Sequence, residues 1–254
     1  MKTKKIAILY GVVGIIGLVL ILQHILAFTP HDYFYIQNPN IEKYVGVNVV
    51  SAWADMSFFT YHTLIFFSIW SILYFVSVVF KVDRLYNFLY KRWIICFVFT
   101  NYVITVLIYS LFEILSPTNL GLYNINEPMA WHNFGTNILV HYVIFIFAFI
   151  LYVKSETNGN ITTKEIIINV TYLVIYYLVV KLTGMFCYQI EWYPYPIFDA
   201  GSMSLLFGLG GSKPFVGVIL LIVSNMAILA LYLSLLIGFS KIKSKQILNK
   251  KTDK

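Results

Sequence analysis

This chain has 254 residues, of which 59% are hydrophobic and only 11% charged, and its mean hydropathy is +0.78. That balance excludes an ordinary soluble domain, because most of the chain must face lipid or other apolar helices. The net charge of +7 does not signal nucleic acid either. The basic residues lie in short connections between apolar runs and at the two ends, as in loops beside an anionic membrane surface, so membrane lipids are the expected partners.

Six apolar runs follow one another, at about 6–28, 57–80, 93–115, 136–153, 166–188 and 214–239. Each has roughly the length needed to cross the hydrocarbon layer. In lipid each must be a helix, because only a helix satisfies its own backbone groups. The expected fold class is all-α: a polytopic membrane helical bundle of six transmembrane helices. It forms a single integral membrane domain over 1–254, with a basic tail at 240–254. The first run follows a lysine-rich start, but it is too long for a cleaved signal and no small-residue cleavage site follows it. It is expected to be a retained span.

Lys and Arg set the orientation. One side receives Lys2, Lys4, Lys5, Lys81, Arg84, Lys91, Arg92, Lys154, Lys164 and the C-terminal lysines, and the other only Lys43 and Lys213. By the positive-inside rule both termini are cytoplasmic and the location is the cell membrane, multi-pass. The outer connections are the longer ones and hold most of the acids, among them Asp32, Glu42, Asp55, Glu127, Glu191 and Asp199. Cys96 and Cys187 fall near opposite faces, so they are not expected to pair, and no metal-ligand spacing occurs. No cofactor or metal is expected. There is no internal repeat and no inverted pair of broken helices, which weakens a transporter reading.

Polar residues inside spans are costly and therefore informative. With this orientation, His24, Thr60, His62, His141 and Lys181 share one layer near the outer surface. The inner half carries mainly Asn101 and Asn169, residue types that often serve as interhelical hydrogen-bond glue. The chemistry such a layer supports is nucleophilic attack. A threonine hydroxyl is a weak nucleophile until an adjacent base takes its proton, and histidine is the usual base. Thr60 and His141 are the leading candidates. His62 is two residues from Thr60 and so points to another helix face. Lys181, Asn137 or a backbone amide are candidate donors to an oxyanion. Each residue also has an ordinary reading: Thr60 as a first-turn cap or packing residue, His141 as a structural histidine, His24 as a belt residue, Lys181 as a cation reaching headgroups.

The string Trp192-Tyr193-Pro194-Tyr195-Pro196-Ile197-Phe198-Asp199 is the most distinctive in the chain. Its two prolines fix the backbone and prevent a helix. It either carries Asp199 back to orient His141 or simply closes the loop. Three features coincide: Phe58-Phe59-Thr60 opening the second span, His141 opening the fourth, and the YPYPIFD string after the fifth. Together they resemble the androgen-induced-gene family of six-pass membrane proteins, particularly its bacterial branch. That family includes threonine hydrolases of fatty acid esters of hydroxy fatty acids. The resemblance runs from the second helix to the last, and implies that Thr60 corresponds to the nucleophile and His141 to its partner. Thr63-Leu64 stand where bacterial relatives tend to have Ser-Asn.

The leading expectation is a membrane hydrolase acting on a lipid-like ester near the outer leaflet. The alternatives are a binding or transport protein, whose path would use Asn101, Asn169 and Asn225, and a structural or partner-binding membrane protein. Oligomeric state is not encoded in any of these signals.

Overall fold

The structure is a computed structural model, and it describes residues 4–26, 59–115, 135–155, 161–186 and 214–252. Among the described residues every element is helical. These are α1 (Lys4–Leu26), α2 (Phe59–Val79), α3 (Asp83–Leu89), α4 (Arg92–Leu115), α5 (Gly135–Lys154), α6 (Thr163–Phe186) and α7 (Pro214–Thr252). Six of them, all but the short α3, are long and apolar enough to cross a membrane. The all-α, six-span expectation therefore holds at this level. The boundaries shift by a few residues, and α7 differs most. The basic tail expected at 240–254 is helical as far as Thr252, with Ser240 and Lys243 buried. Helix propagation adds one bond per residue fixed, and the Lys- and Gln-containing end consists largely of good helix formers. The chain divides into two compact units, 1–159 and 160–254.

In the first unit, α1 packs against α2 through glycines three residues apart. A Cβ on Gly14 would stand 2.8 Å from the backbone oxygen of Ser68, and one on Gly11 would stand 2.9 Å from the Phe75 ring. At Gly17 it would meet the Ser68 hydroxyl. Gly11 therefore faces Phe75 while Gly17 faces Ser68 and Leu64, an antiparallel register. Such close backbone approach is how helices associate in lipid, where apolar side chains gain nothing over lipid tails. Gly238 of α7, by contrast, has nothing within 4 Å of its added Cβ. Gly14→Ala is expected to cost about 1–3 kcal/mol, because one methyl forces the backbones apart. Gly238→Ala should be neutral or gain up to about 1 kcal/mol. Melting temperatures in detergent separate the two, and equal values would mean that α1 and α2 do not pack through this stripe.

At its far end α2 closes with Lys81 in the left-handed region, φ 57, while the Val82 N–H bonds the Ser77 carbonyl at 2.9 Å. This is a Schellman-type stop with lysine where glycine is usual. It turns the chain into α3, whose end accepts a 3.1 Å bond from Trp70 Nε1 at the Leu89 carbonyl. Trp70 stacks on Tyr74 and Tyr86 stacks on Tyr90, with ring centroids 5.3 and 4.5 Å apart. Burial, followed by the neighbouring Tyr74 and Tyr86 phenols, pushes the Tyr90 hydroxyl well above its ordinary value, so it stays neutral. Tyr10 of α1 meets Trp70 and Tyr74 edge-on and donates to the Phe147 carbonyl of α5 at 3.0 Å. On the other side, Phe67 and Tyr102 join α2 to α4, and Phe99 stacks on Tyr152 of α5 at 4.3 Å. This aromatic core sets the relative positions of α2, α4 and α5, the three helices that carry the site.

The second unit holds α6 and α7. Thr162 and Glu165 form a reciprocal cap at the start of α6. The Thr162 N–H meets the Glu165 carboxylate at 2.8 Å, and the Glu165 N–H meets the Thr162 hydroxyl at 3.3 Å. The Thr-x-x-Glu spacing is the sequence signature of this box.

Candidate functional site

Thr60 lies near the start of α2 and is half-buried, whereas His141 lies in the first half of α5 and is only 6% exposed. Eighty-one positions apart in sequence, they meet with Thr60 Oγ1 3.3 Å from His141 Nε2. The other ring nitrogen, Nδ1, is 3.0 Å from the carbonyl oxygen of Asn137. That pairing fixes the tautomer. A carbonyl can only accept, so Nδ1 carries the hydrogen. In the neutral ring Nε2 then keeps its lone pair, and the Thr60 hydroxyl is the donor toward it. The imidazole thus points its basic nitrogen at the threonine.

The backbone around His141 is not a regular α-helix. Leu139–Val143 form a π turn, with the Ile144 N–H reaching the Leu139 carbonyl five residues back. Such single turns are rare in helices and recur at functional sites. A widened turn loosens the i−4 ladder, so a side chain can take a carbonyl in that ladder as its acceptor. Asn137 enters through its backbone carbonyl, as the group that orients the histidine, and its side chain, the expected donor to an oxyanion, is half-buried.

Helix α4 supplies the walls. The Tyr109 ring lies on the imidazole with centroids 3.6 Å apart and planes 14° from parallel. Ser110 bonds the hydroxyl of Tyr142, the residue after His141, at 3.2 Å. One turn below Thr60, the Thr63 hydroxyl donates to the Phe59 carbonyl at 3.0 Å and lies 3.1 Å from Thr105 Oγ1. Because Thr63 has only one hydroxyl hydrogen, Thr105 is the donor in the second bond.

His62 is half-buried on α2, about 200° round the helix from Thr60 at 3.6 residues per turn. Lys181 is half-buried on α6 in the second unit. The His24 side chain, Asp199 and the whole 192–199 string lie outside the described residues. Asn101, Asn169 and Asn225 each donate to a carbonyl four residues earlier in their own helix, at 2.8, 2.6 and 2.8 Å. Among the described residues, no three His, Cys, Asp or Glu side chains gather as metal ligands.

Sequence reasoning missed Tyr109, Thr105 and the π turn. The first two had a signal, since Thr105 and Tyr109 are spaced i, i+4 and so share a face of α4. Chemically, the site is a half-buried hydroxyl facing a ring nitrogen of a buried, oriented imidazole. Comparison with known proteins adds nothing to this geometry: no family model, no curated protein and no solved structure matches the chain.

Proposed function

We propose that this membrane protein is a hydrolase of lipid-like carboxylic esters that uses Thr60 as nucleophile and His141 as general base. One observation carries the reading: Nε2 of His141 faces the Thr60 hydroxyl at 3.3 Å while Nδ1 is tied to the Asn137 carbonyl. This is the logic of a nucleophile, a base and a third group that orients the base, with a backbone carbonyl in the third role.

The steps balance without any further reagent than water. The Thr60 oxygen attacks the ester carbonyl carbon as Nε2 takes its proton. The tetrahedral intermediate expels the alcohol, which leaves with that proton from His141, and the acyl group stays on Thr60. Water then attacks the acyl-threonine, His141 accepts a proton from it, and the carboxylic acid departs as Thr60 regains its hydrogen.

The distribution of Lys and Arg supports cytoplasmic termini and a place in the cell membrane. In that orientation the pair lies toward the outer leaflet, where the ester of a membrane lipid would meet it. The resemblance to the androgen-induced-gene family supports the same chemistry, with Thr60 and His141 at the matching positions.

The test is a covalent one. Purified protein mixed with a p-nitrophenyl acyl ester should give a burst of nitrophenolate, and mass spectrometry should find the acyl group on Thr60. In intact cells an ester that cannot cross the membrane should be turned over without lysis. Steady hydrolysis with no adduct at Thr60 would rule out this mechanism, and turnover only after lysis would reverse the orientation.

A further inference from the structure

Resting on the threonine–histidine reading, we propose that Tyr109 is a positioning residue: its ring, held by α4, keeps His141 turned so that Nε2 faces Thr60. A histidine ring needs more than its hydrogen bonds to stay oriented. The Nδ1 bond to Asn137 fixes one edge of the imidazole, but that carbonyl lies on the same helix and moves with it. Rotation about the Cβ–Cγ bond would carry Nε2 away from the hydroxyl. At a centroid separation of 3.6 Å and 14° between planes, Tyr109 lies within ring thickness of the imidazole face. No tilt in that direction is open without moving the tyrosine.

Tyr109 is itself held from the same helix that aligns both partners. It meets Tyr142 edge-to-face at 6.0 Å, and Tyr142 is bonded to Ser110. One turn away on α4, Thr105 bonds Thr63, which lies three residues from Thr60 on α2. Helix α4 therefore grips the nucleophile's helix at one point and the base at the other. The π turn that carries His141 lies against α4 through the Tyr109 ring and the Ser110–Tyr142 bond. The ring plane of Tyr109 is what lies against the imidazole face.

Three substitutions separate ring from hydroxyl from bulk. Tyr109→Phe keeps the plane, Tyr109→Leu keeps apolar bulk without a plane, and Tyr109→Ala removes both. With a p-nitrophenyl acyl ester, the Leu and Ala variants should lose about tenfold to a hundredfold in kcat with KM within about twofold, because misplacing a reacting group by about 1 Å costs that much. Tyr109→Phe should stay close to wild type in kcat, because the stacked plane is retained. A second readout needs no turnover. Diethyl pyrocarbonate modifies unprotonated imidazole nitrogens, and mass spectrometry resolves the rate at His141. That rate should rise in the Leu and Ala variants and not in the Phe variant, with helical content unchanged in all three.

Unchanged modification of His141 in Tyr109→Leu would overturn the proposal, whatever the activity. So would a Phe variant that fails as badly as the Ala variant. If Tyr109→Ala does not fold, the Leu and Phe pair decides the matter alone. If Thr60→Ala remains fully active, the hydrolase reading falls, while the modification rates still decide whether Tyr109 holds the imidazole.

Discussion

Thr60→Val abolishes ester turnover while leaving the bundle folded; that is the expected result with the largest effect. Valine replaces the hydroxyl by a methyl of similar size, and its branched Cβ keeps χ1 stiff, as threonine does. What disappears is the hydroxyl that faces His141 Nε2, the oxygen proposed to attack. Loss of a nucleophile in a cooperating pair removes nearly all of the pair's contribution, so kcat should fall by about 10³-fold or more. Thr60→Ser keeps the hydroxyl and should retain a large part of the rate, reduced because its χ1 is less restricted. The steady-state assay with a p-nitrophenyl ester decides this, and a fully active Thr60→Val protein would leave His141 with no nucleophile to serve.

The second expected result concerns the base. In His141→Asn the side-chain amide nitrogen can occupy the place of Nδ1 and keep the bond to the Asn137 carbonyl, while nothing remains at the position of Nε2. General base catalysis contributes typically 10²–10⁴-fold, and kcat should fall by about that factor. His141→Gln places an amide near the Nε2 position instead; an amide is not a base, so the fall should be similar. Both variants leave a gap beneath the Tyr109 ring, so the melting temperature should drop as well. Acylation of Thr60 at an unchanged rate in His141→Asn would show that another group takes the proton.

Much of the fold was legible one segment at a time. The run from 57 to 80 is apolar over its whole length, and α2 occupies Phe59–Val79. The Gly11, Gly14 and Gly17 spacing is a sequence signal for the close helix pair. The Thr162–Glu165 box was equally readable. Other features were not. Lys81 stops α2 in a backbone conformation that favours glycine, and no residue type there advertises the turn. The helical continuation of α7 to Thr252 was not legible either, because a lysine-rich segment has no apolar periodicity to mark it as a helix.

The candidate site divides in the same way. Sequence alone nominated Thr60 and His141, because a hydroxyl and an imidazole in apolar spans carry a cost that packing residues do not. It placed both near one face of the membrane, since orientation and helical rise convert position into depth. Only the tertiary structure decided that they face each other. Depth leaves the rotation of each helix and the choice of neighbour open, and those depend on contacts among α1, α2, α4 and α5 that are remote in sequence. The tautomer of His141, the π turn that carries it and the Tyr109 ring laid on it arise from the same contacts. Hydropathy is a property of each segment by itself, whereas a 3.3 Å approach across 81 residues is a property of how the segments pack.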